Sequence, residues 1–137
     1  MRDIRFRGKR LDNGEWAQGY LNAYTDGTHE IIMNSSRKQT AMFGGNPFYT
    51  IHSERPEVDP ATVGQYTGLE CDNGSVYEGD IVWWSDMQPF SYVFFCDGAF
   101  RVTSPDSDTA ELLIDVLMGM KIVDNIHDNP ELLEVGL

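Results

Sequence analysis

The chain contains no apolar run approaching the roughly 18 residues that a membrane-crossing helix requires, so no membrane span is expected. Its opening residues, Met1-Arg2-Asp3-Ile4-Arg5, carry charge with no apolar stretch behind them, which does not read as a secretory leader. Cysteine is scarce: Cys71 and Cys96 lie in different expected hairpins, without Cys-x-x-Cys spacing. A disulfide framework is therefore not expected, and both read as free thiols of a cytoplasmic protein. Histidine is equally sparse, and His29, His52 and His127 stand at no metal-ligand spacing from one another or from a cysteine. There is no Gly-x-Ser-x-Gly, and Gly44-Gly45 lacks the preceding strand and following helix that a phosphate loop needs. The expectation is a non-enzyme with no catalytic residues, no cofactor and no metal.

Positive charge is nearly missing from the second part of the chain. Residues 64–137 hold fourteen acids against Arg101 and Lys121, whereas residues 1–63 are balanced at eight of each, so the net charge of −12 falls wholly on the second part. Within the first ten residues Arg2, Arg5, Arg7, Lys9 and Arg10 oppose only Asp3. A basic arm beside an acidic body bears on association rather than on fold. One reading is that the two parts attract each other, within a chain or between chains. The other is a nucleic-acid role, with the arm on phosphate or the acidic part imitating DNA. Tight nucleic-acid binding is not expected, because the charge of the body opposes the arm.

What is present is turn grammar. Asn13-Gly14, Asp26-Gly27, Asn73-Gly74 and Asp97-Gly98 each sit between β-prone runs, where Asx-Gly is the strongest short signal for a tight hairpin. Strands are expected near residues 3–8, 15–24, 29–33, 80–84, 91–96, 99–103 and 121–126, with another short one at Phe48–Ile51. In the second of these, Trp16, Gln18 and Tyr20 share one face and Ala17, Gly19 and Leu21 the other. Residues Asn34 to Pro47 break the alternation and read as a long exposed loop. Asp59-Pro60 and Asn129-Pro130 each predict a single helical turn with proline at its first position, the last one packing Leu132 and Leu133 onto the body. Residues 109–118 fit a short helix or a buried strand, which periodicity does not separate, and the long side chains and repeated leucines favour helix slightly. The class is mainly β, a small, strongly bent barrel or roll built from tight hairpins. With 137 residues the chain is one domain, with possible sub-units 1–57 and 58–137.

Few residues carry chemistry. Glu78 and Asp80 flank Gly79 as two carboxylates, which a polar turn explains as well as acid–base work does. Asp124 and Asp128 lack the ligand count and central glycine of a calcium loop. Trp83-Trp84 is the most conspicuous pair. In a strand their rings face opposite sides, one into the core and one outward as an interface anchor.

Three segments together resemble the YopX-like family of phage and prophage proteins. They are Arg2-Asp3-Ile4-Arg5-Phe6-Arg7-Gly8-Lys9-Arg10 through Trp16 and Gly19-Tyr20-Leu21; Val58-Asp59-Pro60-Ala61-Thr62-Val63-Gly64-Gln65-Tyr66-Thr67-Gly68-Leu69 through Asp80-Ile81-Val82; and Asn125-Ile126-His127-Asp128-Asn129-Pro130-Glu131-Leu132-Leu133. The resemblance implies an origin in a phage or prophage and a mostly β, SH3-like fold, and it brings no catalytic residues with it. The expectation is a cytoplasmic protein-interaction module that self-associates or binds a host or phage protein. Its candidate contacts are Arg2, Arg5, Arg7, Arg10, Trp83 and Trp84, with the apolar segment Leu112–Met118 beside them.

Overall fold

The computed structural model describes residues 2–86 and 89–134. The chain divides into two compact units, the first Arg5–Val63, the second beginning at Gly64 and including residues 2–4. Both are built of antiparallel strands joined by tight turns, and the class is mainly β.

In the first unit, β1 (Phe6–Lys9), β2 (Trp16–Ala23), β3 (His29–Phe43) and β4 (Asn46–Glu54) follow one another as a meander, with β4 outermost. The short β5 (Glu57–Val58) returns to pair with the start of β3, placing Val58 opposite His29. Alternation along β2 sorts its side chains as the sequence indicates: Ala17 is fully buried and Leu21 packs on the core, while Tyr20 is exposed. The core is small, with Ala17, Ile31 and Val58 at its centre and Phe6, Leu21, Met33 and Val63 around it. Gly19 belongs to this packing, because a β-carbon there would run into the Ile32 carbonyl on the neighbouring strand. The turn after Val58 forms as the Asp59-Pro60 pair dictates. The Asp59 carboxylate accepts the Ala61 N–H at 3.0 Å, and Thr62 accepts the Lys9 N–H at 2.9 Å, tying the turn back to β1. Val58 is thus part of the first core, and the division falls at Gly64, after the turn.

The second unit holds the hairpin β6 (Gly64–Cys71) and β7 (Gly74–Tyr77), followed by β8 (Asp80–Trp83), β9 (Ser91–Cys96), β10 (Ala99–Thr103), β11 (Glu111–Leu112) and β12 (Lys121–Asn125). The last five form one sheet in the order β11-β10-β9-β8-β12. Val76, Val82, Val93, Val102, Leu113 and Met120 are buried to 2% exposure or less, and Leu69, Trp84, Phe100 and Ile122 pack on them. At roughly 1.5–3 kcal/mol for each large side chain removed from water, this cluster is the main apolar stabilisation of the unit. Among the described residues the sheet runs from one open edge at β11 to another at β12, and no closed barrel forms.

Three sequence expectations are corrected. Residues 34–47 are not a loop. They continue β3, which pairs with β4 as far as Phe43 opposite Asn46 across a two-residue Gly44-Gly45 turn. Both glycines have positive φ, 56° and 82°, the requirement of the turn type whose twist matches a hairpin. Residues 109–118 are neither one helix nor one buried strand: β11 spans two residues and a helical turn, Leu113–Asp115, follows it. Leu113 alone of the segment is fully buried, while Ile114 and Met118 are exposed. The final turn, Pro130–Leu133, forms, but Leu132 is 36% exposed rather than packed, and Leu133 is half-buried.

Candidate interaction surface

The ribbon of β3 and β4 leaves its sheet at Asn34. There the backbone takes a positive φ of 53°, the register between Met33 and Ser36 slips, and the Asn34 amide donates to the Glu54 carboxylate at 3.1 Å. Beyond that point most side chains are exposed on both faces, from Asn34 to Tyr49 almost without interruption. The ribbon nevertheless carries large apolar groups: Met42, Phe43, Phe48, Tyr49 and Ile51 are between 44% and 69% exposed. Phe43 and Phe48 hold each other edge to face, ring centres 4.9 Å apart, near the tip. The Arg37 guanidinium lies 3.6 Å from the centre of the Tyr49 ring, a cation over an aromatic face. From Ile31 to Ser53 there is no acid, so Arg37 and Lys38 give the ribbon a net positive charge. Three half-exposed aromatics at about 100 Å² each leave roughly 300 Å² of ring surface in water before Met42 and Ile51 are added, and exposed apolar surface of a few hundred Å² marks an interaction site.

The six residues expected to make contacts do not come together. Arg5, Arg7 and Arg10 belong to the first unit. Arg7 lies on β1, its guanidinium 4.9 Å from the Trp16 ring centre, with the Lys9 ammonium 5.8 Å from the same ring. Arg10 holds both oxygens of Asp12, at 2.9 and 2.8 Å, and this hydrogen-bonded pairing keeps the Asp12 carboxyl below the usual carboxylate range. The basic segment is therefore largely a folded strand whose cations have partners, not a free arm. Arg2 lies in the second unit, on the rim of an open groove of about 410 Å³ floored by Tyr66 and Phe100. Trp83 and Trp84 are both half-buried. Alternation carries through the end of β8: Val82 and Trp84, two residues apart, both meet the core, while Trp83 lies opposite Lys121, whose ammonium is 5.9 Å from its ring. Neither ring projects outward as an anchor.

The carboxylates singled out by sequence serve the backbone. Asp80 is 1% exposed and accepts the Tyr77 N–H at 2.7 Å, and Glu78 accepts the Gln65 N–H at 3.0 Å. Asn125 orders the turn between Asp124 and Asp128 by accepting the N–H groups of His127 and Asp128. Among the described residues no three His, Cys, Asp or Glu side chains converge as a metal site. Cys71 is half-buried and Cys96 exposed, both free. Sequence reasoning missed the ribbon. The signal that would have found it is Gly44-Gly45 at the centre of two runs of matching length, the second of them the β-prone Phe48-Tyr49-Thr50-Ile51.

No helix among the described residues is long and apolar enough to cross a membrane. No curated protein matches the chain significantly. Among solved structures it is similar to the crystal structure of protein EF1440 from Enterococcus faecalis, with 22% identity and a TM-score of 0.63 over 98% of this chain and 100% of that one. That likeness is one of fold. A family model described as YopX protein matches residues 5–134, nearly the whole length. The chain belongs to the YopX family.

Proposed function

We propose that this chain is a non-enzymatic protein-interaction module whose contact element is the ribbon from Asn34 to Glu54. The observation that carries the reading is the ribbon itself: a hairpin that buries little of its apolar surface, with five large apolar side chains exposed and the Phe43 and Phe48 rings packed on each other. A solvent-facing hairpin of this kind is ordinarily depleted in such residues, and its outermost strand presents open backbone groups for a partner. The carboxylates tied into turns support a non-enzymatic role. A phage or prophage origin, a cytoplasmic setting and an SH3-like character for the second unit rest on the family resemblance and on its short, tightly turned strands.

The test is photo-crosslinking in bacterial lysate with a reactive residue placed at Ile51 and, as control, at Leu11, which is 58% exposed in the same unit. A discrete adduct from position 51 and none from position 11 is expected. Equal patterns from the two positions, or no adduct from either, would contradict the reading.

One observation favours a second reading. An acid-free ribbon with Arg37, Lys38 and exposed aromatic rings has the elements of a nucleic-acid platform. Two cations release few counterions, and the −12 body opposes approach, so sub-micromolar binding to a random duplex at physiological salt is not expected. Finding it would replace the first reading with the second.

A further inference from the structure

The geometry points to a second copy of this chain as what the ribbon docks on, at the segment Asp106–Met118; this assignment rests on the interaction-module reading above. The two surfaces are complementary in charge and alike in apolar content. The ribbon combines Arg37 and Lys38 with exposed Phe48 and Ile51, and among the described residues neither cation is in an ion pair. The segment combines Asp106, Asp108, Glu111 and Asp115, all exposed, with Ile114 at 64% and Met118 at 97% exposure. Each surface is solvent-facing in the single chain. Each also lies at an open edge, β4 outermost in its unit and β11 at the end of the five-stranded sheet.

One chain carries both surfaces, so two copies satisfy each other when the ribbon of each reaches the segment of the other. When the exchange is reciprocal across a two-fold axis it closes at the dimer, which is the assembly we assign. The apolar contacts supply most of the affinity. The charges set the pairing of ribbon with segment and oppose ribbon on ribbon and segment on segment.

Sedimentation velocity with charge-reversed chains tests this. Arg37→Glu/Lys38→Glu and Glu111→Lys/Asp115→Lys alter exposed side chains outside both cores, and circular dichroism and thermal melts confirm that each variant folds. The wild type is expected to dimerise at micromolar concentration, and each variant alone to dimerise about tenfold or more weakly, as several exposed charge pairs turn repulsive. An equimolar mixture of the two variants is expected to recover wild-type dimerisation, because the reversed ribbon then meets the reversed segment while both native surfaces also meet. A wild type that stays monomeric to about 100 µM overturns the assignment, as do folded variants that dimerise as tightly as the wild type, or a mixture that fails to recover. A monomer that still gives a discrete heterologous adduct from position 51 overturns the second copy and leaves the interaction module standing. Without that adduct both fall.

Discussion

Asn73 is where a single side chain does the work of a missing strand residue. Its amide donates to the Ile122 carbonyl and accepts the Ile122 N–H, both at 2.8 Å, so it stands beside β12 as a peptide group would. These bonds join the β6–β7 turn to a chain position 49 residues away. Asn73→Ala removes both, and at roughly 0.5–1.5 kcal/mol for each net hydrogen bond the loss is about 1–3 kcal/mol, toward the lower end because water can reach the site. Asn73 does not have a positive φ, so alanine brings no backbone strain that would mimic the effect. Asn73→Asp separates the bonds from turn preference: it keeps the Asx side chain and one acceptor but faces the Ile122 carbonyl with a carboxylate. Both variants should lose stability in urea denaturation, and the Ile122 amide should exchange faster with solvent. A midpoint for Asn73→Ala that matches the wild type, with Ile122 exchange unchanged, would refute the reasoning.

Leu113→Ala should cost about 2–5 kcal/mol in the same assay, because the side chain is fully buried among valines and Met120 and leaves a cavity, whereas Ile114→Ala, on an exposed neighbour, should change little. Asp12 is held deprotonated by Arg10, so its contribution to stability is complete above its ordinary value of 3.8 and is lost as pH falls through the lower folded value. The difference between wild type and Asp12→Asn should accordingly be present at pH 6 and shrink below about pH 4, measured as urea midpoints against pH. In the native protein Cys96 should react with Ellman's reagent faster than half-buried Cys71, and both should react once unfolded; a single reactive thiol after denaturation would contradict the free pair.

Turns were legible in the sequence because glycine is required by geometry. Gly14, Gly27, Gly74 and Gly98 all take positive φ, and each marks a reversal where Asx-Gly predicts one. Strands with one buried face were legible for a related reason: Ala17 and Leu21 against Tyr20 write period two into β2. The ribbon was not, because neither of its faces is buried and no alternation is selected. Its pairing comes from the tip turn and from backbone bonds, which composition does not show. The segment around Leu113 was ambiguous because one buried residue fixes no period. Alternation placed one ring of Trp83 and Trp84 on the core, and it is Trp84; Trp83 is half-buried with the Lys121 ammonium near its ring, which sequence alone does not show. The cations of Arg7 and Arg10 misled because sequence counts charge without showing that Trp16 and Asp12 take it up.

The central claim is that the ribbon is dispensable for folding and needed for contact. Excising residues 35–53 and closing the gap with Asn-Gly leaves Ala17, Ile31 and Val58 untouched. The decisive measurement is the light-scattering mass of this folded, shortened chain beside that of the full chain at equal micromolar concentration. The account predicts a dimer for the full chain and a monomer for the shortened one; the same state for both would contradict the ribbon as the contact between copies.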